Sequence, residues 1–254
     1  MAGRGRSDAH HDAGGGSAIP VIGLDYGYLV KFEDVSAGES PSPNLATKCS
    51  FTKRGMADVL PCKGVGHPWC VQALVRVLLD AGHAKIILRS DDEPAIVALK
   101  ERAIAVAKEQ HKIDVIPETT PHSDSQSNGL AEVAVRDVKG VARSLHYDMA
   151  KLHDVDIPRE HPILTWMVHY AGSVITRGQL GKDGMTVFQR WKGKRFKGAL
   201  PPFGECILYL PAGKRGSKID EKYVEGIFLV VVERSSEIYV GTAAGVVRGL
   251  SIRR

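Results

Sequence analysis

Residues 84–94 constrain the fold more than any other stretch of the chain. Ala84 to Leu88 is short and apolar apart from Lys85 at its start, with Ile86, Ile87 and Leu88 in succession rather than in alternation, and it ends in Arg89-Ser90-Asp91-Asp92-Glu93-Pro94. A strand apolar on both faces must be covered on both, which is the position of an inner strand in an α/β sheet. Helical patterns flank it. Pro68 opens a core helix whose Trp69, Ala73, Leu74, Val77 and Leu78 follow helical spacing to Gly82, and Pro94 starts another that reaches about Gln110. Ile113 to Ile116 supplies the next strand. Asp91 stands just beyond the carboxyl end of a buried strand, where open α/β sheets place their ligands. Asp92 or Glu93 is explained as a cap on the following helix, but that leaves Asp91 without a structural role.

The preceding residues add three strands. Ile19 to Val30 is apolar and β-prone with Asp25 in its middle, and an acid inside a core strand is costly unless something compensates it. Residues 31–47 read as a polar connection. Two short strands follow, near Lys48 to Lys53 and Met56 to Cys62, turning at Arg54-Gly55.

A polar stretch from Pro117 reads as a mobile loop up to the N-capping residues Ser127 or Asn128, and helical periodicity then runs to about His146. Leu130, Ala134, Val138, Val141 and Leu145 line one face of that helix. Glu132, Arg136, Lys139 and Arg143 line another. Taken alone, this is either an ordinary surface helix with an ion pair from Glu132 to Arg136 or, given partner carboxylates elsewhere in the chain, part of a site. A polar link over 147–159 precedes a core helix through Leu164, Met167, Val168, Ala171, Val174 and Ile175, with His169 as a packing or surface histidine and Gly178 as its stop.

Charge is distributed unevenly. The net charge is +5, yet from residue 176 onward 15 Lys and Arg face 7 Asp and Glu, so the C-terminal third carries the basic excess. Within it, Arg190, Lys192, Lys194, Arg195 and Lys197 alternate with Trp191 and Phe196, a pattern suited to phosphate. Short β-prone runs at Cys206 to Leu210, Tyr223 to Val232, Glu237 to Val240 and Val246 to Ile252 predict a small antiparallel unit of about four strands. Cys49, Cys62, Cys70 and Cys206 form no C-x-x-C pair and read as buried thiols, with no zinc site indicated. No apolar run is long enough to span a bilayer, and residues 1–18 are too poor in apolar side chains to order or to act as a secretory signal. The expectation is a soluble intracellular protein without membrane partners.

If the first and fourth strands are neighbours, Asp25 and Asp91 face each other across one strand spacing and Glu132 can close a triangle. Three carboxylates without an obvious internal cation repel one another, a conflict relieved by hard divalent ions. Paired ions of that kind serve phosphodiester chemistry.

The segments Gly23-Leu24-Asp25-Tyr26, Arg89-Ser90-Asp91-Asp92-Glu93-Pro94 and Ser127-Asn128-Gly129-Leu130-Ala131-Glu132 resemble the three catalytic motifs of the integrase core of retroelements, most closely the integrases of copia-type retrotransposons within the retroviral integrase superfamily. The resemblance covers about residues 19–178. Lys182 to Phe188 also resembles the region that follows the core in those polyproteins. Two departures are visible: no paired-His, paired-Cys module precedes the core, and Asp92-Glu93 replaces the usual Asn-Gly after the second Asp. Forty residues separate Asp91 from Glu132, a few more than is common in the family.

The resemblance implies an α/β, ribonuclease H-like mixed five-stranded sheet flanked by helices over 19–178. A disordered tail over 1–18 precedes it, and a small, basic, mainly β region over 179–254 follows. It implies Asp25, Asp91 and Glu132 as catalytic metal ligands for Mg²⁺ or Mn²⁺, two ions in all, with Asp92 as the alternative to Asp91. Gln126, Asn128, Arg136, Lys139 and Arg143 would hold DNA, together with Lys192, Lys194, Arg195 and Lys197. The implied activity is metal-dependent strand transfer joining element ends to target DNA, with related cleavage, by a homo-oligomer acting in the nucleus. A catalytically inactive or domesticated nucleic-acid-binding remnant and another ribonuclease H-like nuclease are the alternatives.

Overall fold

The computed structural model describes residues 18–29, 41–120, 129–198, 200–213, 221–232, 235 and 237–253. Its first part is one sheet of five strands: β1 (Val21–Gly27), β2 (Asn44–Cys49), β3 (Gly55–Val59), β4 (Lys85–Ser90) and β5 (Asp114–Thr119). Their order is β3-β2-β1-β4-β5, antiparallel from β3 to β1 and parallel from β1 to β5. This is the mixed, ribonuclease H-like sheet expected from the sequence. The parallel half requires crossovers, supplied by α1 (Pro68–Ala81) before β4 and α2 (Pro94–His111) before β5.

Both faces are covered. On one, Leu74 and Leu78 of α1 and Ile96 and Leu99 of α2 pack on Ile22, Leu24, Ile86 and Leu88, all at most 2% exposed. The opposite face meets α3 (Gly129–His153) and α4 (Ile163–Gly178) through Ala57, Val138, Val168, Ala171 and Ile175. A helix can lie close to β1 because two glycines face it. A Cβ on Gly23 would sit 3.1 Å from the Ala131 nitrogen and 3.2 Å from Leu130 Cβ, and one on Gly27 would sit 3.0 Å from Val135 Cγ1.

Past the sheet, a short α5 (Val187–Lys192) is closed at its start by a Thr186–Gln189 capping box. Then β6 (Cys206–Pro211), β7 (Val224–Val231), β8 (Ile238–Thr242) and β9 (Gly245–Arg253) close into a four-stranded antiparallel barrel. Its interior residues Ile207, Tyr209, Phe228, Val230 and Val240 form a second core with Ile163, Met167 and Tyr170 of α4. No helix among the described residues is long and apolar enough to cross a membrane.

Several expectations are corrected. The β2–β3 hairpin lies earlier than predicted, turning at Ser50–Thr52, because Asn44 to Thr47, read as connection, is fully buried strand. The third helix runs to His153 rather than His146, since Met149 finds a place in the barrel core. Trp69 is 37% exposed at the start of α1 beneath the Arg76 guanidinium, not in the core, where Cys70 takes the inward position. Pro117 to Thr119, expected in a loop, extends β5, with Pro117 opposite Leu88. Cys206 is exposed rather than buried, and α5 was not anticipated.

Candidate active site

The register of β1 on β4 pairs Val21 with Ile87, Ile22 with Leu88 and Gly23 with Arg89. Continued two residues beyond the paired stretch, this register sets Asp25 level with Asp91, just past the end of β4, about 4.8 Å being the usual spacing of neighbouring strands. Electrostatics agrees with the register. The Asp25 carboxyl is pushed from 3.8 to about 6, first by burial and then by the negative charge of Asp91, with Glu93 adding to it. The Tyr26 N–H, donated to Asp25 Oδ1 at 2.7 Å, and the Lys63 ammonium oppose that rise. Asp91 is therefore the acid whose charge Asp25 feels, and its own Oδ1 accepts the Glu93 N–H at 3.3 Å.

Glu93 departs from the role expected of it. It occupies the N-cap position of α2 without making a side-chain cap bond, and its carboxylate instead accepts two bonds from Lys63 Nζ at 2.7 and 3.0 Å. Lys63 also lies over the rings of Tyr26 and Tyr28, at 5.1 and 5.6 Å. The Gly-rich link over 63–67 thus carries a cation to the edge of the site. Its backbone is fixed there by the Gly64 N–H, which donates to the Tyr26 hydroxyl at 2.9 Å.

A second cation lies underneath. Lys100, 1% exposed, donates from Nζ to Ser90 Oγ (2.9 Å), the Glu118 carbonyl (2.7 Å) and Thr119 Oγ1 (3.0 Å), tying α2 to the ends of β4 and β5. Burial lowers its pKa, and the nearby charges of Asp91, Glu101 and Glu118 hold the proton on. No internal cation is obvious from the sequence. The signal was nevertheless present, because Lys100 shares the buried stripe of α2 with Ile96, Ala103 and Ala107.

Glu132 sits in the first turn of α3 and is exposed. Gly23, Asp25 and Gly27 alternate onto one face of β1, the face on which Leu130, Ala131 and Val135 rest, so the turn bearing Glu132 is held against the strand bearing Asp25. Among the described residues no group of three His, Cys, Asp or Glu side chains is close enough to hold a metal ion. The ion pair expected between Glu132 and Arg136 is likewise not present among them. The acid of α3 that pairs with the sheet is Asp137, whose Oδ2 meets Lys48 Nζ at 2.7 Å.

The remaining candidate residues separate into groups. Arg136 and Arg143 are exposed on α3 and Lys139 is half-buried, whereas Gln126 and Asn128 lie outside the described residues. In the basic region Lys192, Lys194, Arg195 and Lys197 are all exposed. Its aromatics are already engaged. Arg54 and Lys192 stack on the Trp191 ring at 3.7 and 3.6 Å, and Phe196 packs edge-on against Phe188 under Arg177. They fix the segment to the fold, with Lys192 held on Trp191, and leave Lys194, Arg195 and Lys197 exposed. Arg190 is paired with Asp183, and His169 binds Asp58 Oδ1 at 2.9 Å, the packing role expected of it.

The donor chemistry of the site fits hard divalent cations. Asp25 and Asp91 offer only carboxylate oxygens, and their mutual repulsion, visible in the raised Asp25, is what such an ion relieves.

No protein-family model matches the chain, and no curated protein matches it by sequence. Solved structures do. The catalytic core domain of BIV integrase is similar over 67% of this chain and 92% of its own, with 15% identity and a TM-score of 0.46. A chain of the simian T-cell lymphotropic virus intasome, solved with PP2A regulatory subunit B56 gamma, matches 92% of this chain and 77% of its own, with 11% identity and a TM-score of 0.48. The HTLV-2 integrase catalytic core domain in complex with magnesium matches 66% of this chain and 93% of its own, with 12% identity and a TM-score of 0.46.

Proposed function

We propose that the chain is a metal-dependent DNA strand-transfer enzyme of the retroelement integrase type, with Asp25, Asp91 and Glu132 as its catalytic carboxylates. The observation that carries this reading is the opposition of Asp25 and Asp91 at adjacent parallel strand ends, with Asp25 raised to about 6. Two acids forced together inside a fold have a function when a divalent cation is their partner. Asp25 and Asp91 would hold Mg²⁺ or Mn²⁺, with Glu132 brought in from the adjoining helical turn. Bound there, such ions would activate an attacking 3′-hydroxyl or water and stabilise the oxygen that leaves.

The protein's own side chains would do the rest. Lys100 holds the ends of β4 and β5 in place, so Asp91 presents its charge to Asp25 at a fixed spacing. Lys63 restrains Glu93 beside them. Arg136, Lys139 and Arg143, with Lys192, Lys194, Arg195 and Lys197, would hold DNA through its phosphates, a contact that places the duplex without reading its sequence. Acting on the two ends of one element calls for self-association and for access to chromosomal DNA, hence a nuclear site of action.

Strand transfer between oligonucleotides in Mn²⁺ tests the reading. Glu132→Gln is expected to abolish joining while leaving DNA binding intact. Full activity of that variant would remove Glu132 from the triad, and inactivity of the unaltered chain with retained DNA binding would favour a non-catalytic remnant. Cutting of RNA in hybrids without DNA joining would point to another nuclease.

A further inference from the structure

Cys62 and Cys70 are eight residues apart in sequence and their sulfurs lie 3.9 Å apart, in contact but unbonded. Cys62 is half-buried at the start of the link 62–67, whereas Cys70 is wholly buried in the first turn of α1 and donates its S–H to the Cys62 carbonyl at 3.3 Å. A disulfide needs the sulfurs about 2.05 Å apart, so its formation requires a further approach of nearly 2 Å. Cys70 is anchored in the core among Leu74 and Leu78, so the approach falls to Cys62 and the link that carries it. The residues next to Cys62 are those that reach the site: Lys63 grips Glu93, and the Gly64 N–H holds the hydroxyl of Tyr26, the neighbour of Asp25.

We infer that Cys62 and Cys70 form a reversible disulfide that controls the neighbouring carboxylate site by withdrawing the 62–67 link; the control of strand transfer rests on the proposed function, whereas the disulfide does not. A small disulfide such as glutathione disulfide is the oxidant. The Cys62 thiolate attacks it and releases one glutathione thiolate. The Cys70 thiolate then attacks Cys62 Sγ and releases the second, so two thiols lose two electrons and two protons as one glutathione disulfide becomes two glutathiones. The order follows from access: Cys62 meets solvent, and burial pushes the Cys70 thiol above its usual range.

The test treats the full chain with glutathione disulfide, maps unreduced peptides by mass, and follows amide exchange over 62–66 together with DNA strand transfer. A 62–70 cross-link lighter by two hydrogens is expected, with faster exchange at Gly64 and a loss of strand transfer of about tenfold or more that dithiothreitol reverses. Cys62→Ser should retain full activity under both conditions and show none of these changes. Glutathione adducts at Cys62 or Cys206 without the cross-link would overturn the inference, as would a cross-link that leaves Gly64 exchange and strand transfer unchanged. A reversible cross-link with altered Gly64 exchange in a chain that never joins DNA would uphold the disulfide and its grip on the link, and would defeat the proposed function instead.

Discussion

Replacing Asp25 by Asn should stabilise the metal-free protein at neutral pH. Asp25 has a folded pKa of about 6 against its usual 3.8, caused by burial and by Asp91. Below 3.8 the carboxyl is protonated in both folded and unfolded chains and contributes nothing. Between 3.8 and about 6 the unfolded chain releases the proton first, so the folded state binds more protons and stability falls as pH rises. Above about 6 the full cost is present, and the displacement corresponds to about 3 kcal/mol. Because the side chain keeps partial contact with solvent, screening reduces this to about 1–2 kcal/mol. Asn keeps the oxygen that accepts the Tyr26 N–H and cannot ionise. Urea unfolding at pH 8 and at the lowest pH that sustains the fold is the assay: Asp25→Asn should gain about 1–2 kcal/mol at pH 8 and much less in acid. Adding Mn²⁺ should raise the midpoint of the parent protein and not that of the variant. A variant less stable than the parent at pH 8, or an equal difference at both pH values, would refute the argument that Asp25 is held in conflict with Asp91.

Other perturbations address the supports of the site. Lys100→Met keeps the aliphatic stem but leaves the Ser90 and Thr119 hydroxyls and the Glu118 carbonyl without their shared donor; a net loss of about 2 kcal/mol is expected in the same urea assay, since removing the buried charge offsets part of the cost. Joint replacement of Arg136 and Lys139 by Ala should weaken binding to duplexes of any sequence and reduce the slope of log affinity against log salt by about 2, measured by fluorescence anisotropy between about 50 and about 200 mM salt. An unchanged slope would mean that this face of α3 does not touch phosphate.

The succession of strands and helices and the four β-prone runs of the C-terminal unit could be read from the sequence because each is written in hydrophobic periodicity, whereas the mixed sheet flanked by helices was implied by the resemblance to integrase cores. Leu24 and Leu88 are in the core, each on a short β-prone run rich in apolar residues. The facing of Asp25 and Asp91 followed from the sequence only on the condition that the first and fourth strands are neighbours, a condition that the sheet meets. What escaped was set by distant partners. The cations that steady the site come from positions of different local character: Lys63 from a Gly-rich link and Lys100 from the inner face of a helix, and only the folded chain shows that Glu93 and Ser90 wait for them. The hairpin shift has the same origin. Asn44 to Cys49 looks too polar for a central strand until Lys48 finds Asp137 on α3. The basic segment with its interleaved aromatics suggested a phosphate-binding patch, yet the Trp191 ring already carries Arg54 and Lys192.

The two glycines of β1 that face α3 deserve to be counted with the carboxylates. Neither has a functional group, yet a methyl at 23 meets backbone at 3.1 Å, and backbone of a helix cannot step aside as a side chain does. The helix would have to lift as a body and take Glu132 with it. A saturation screen scored on DNA joining would therefore mark Gly23 as intolerant alongside Asp25, while a screen scored on folding would rank it well below the core leucines. The width of a hydrogen atom replaced by a methyl on one strand would then set the reach of an acid carried by another element.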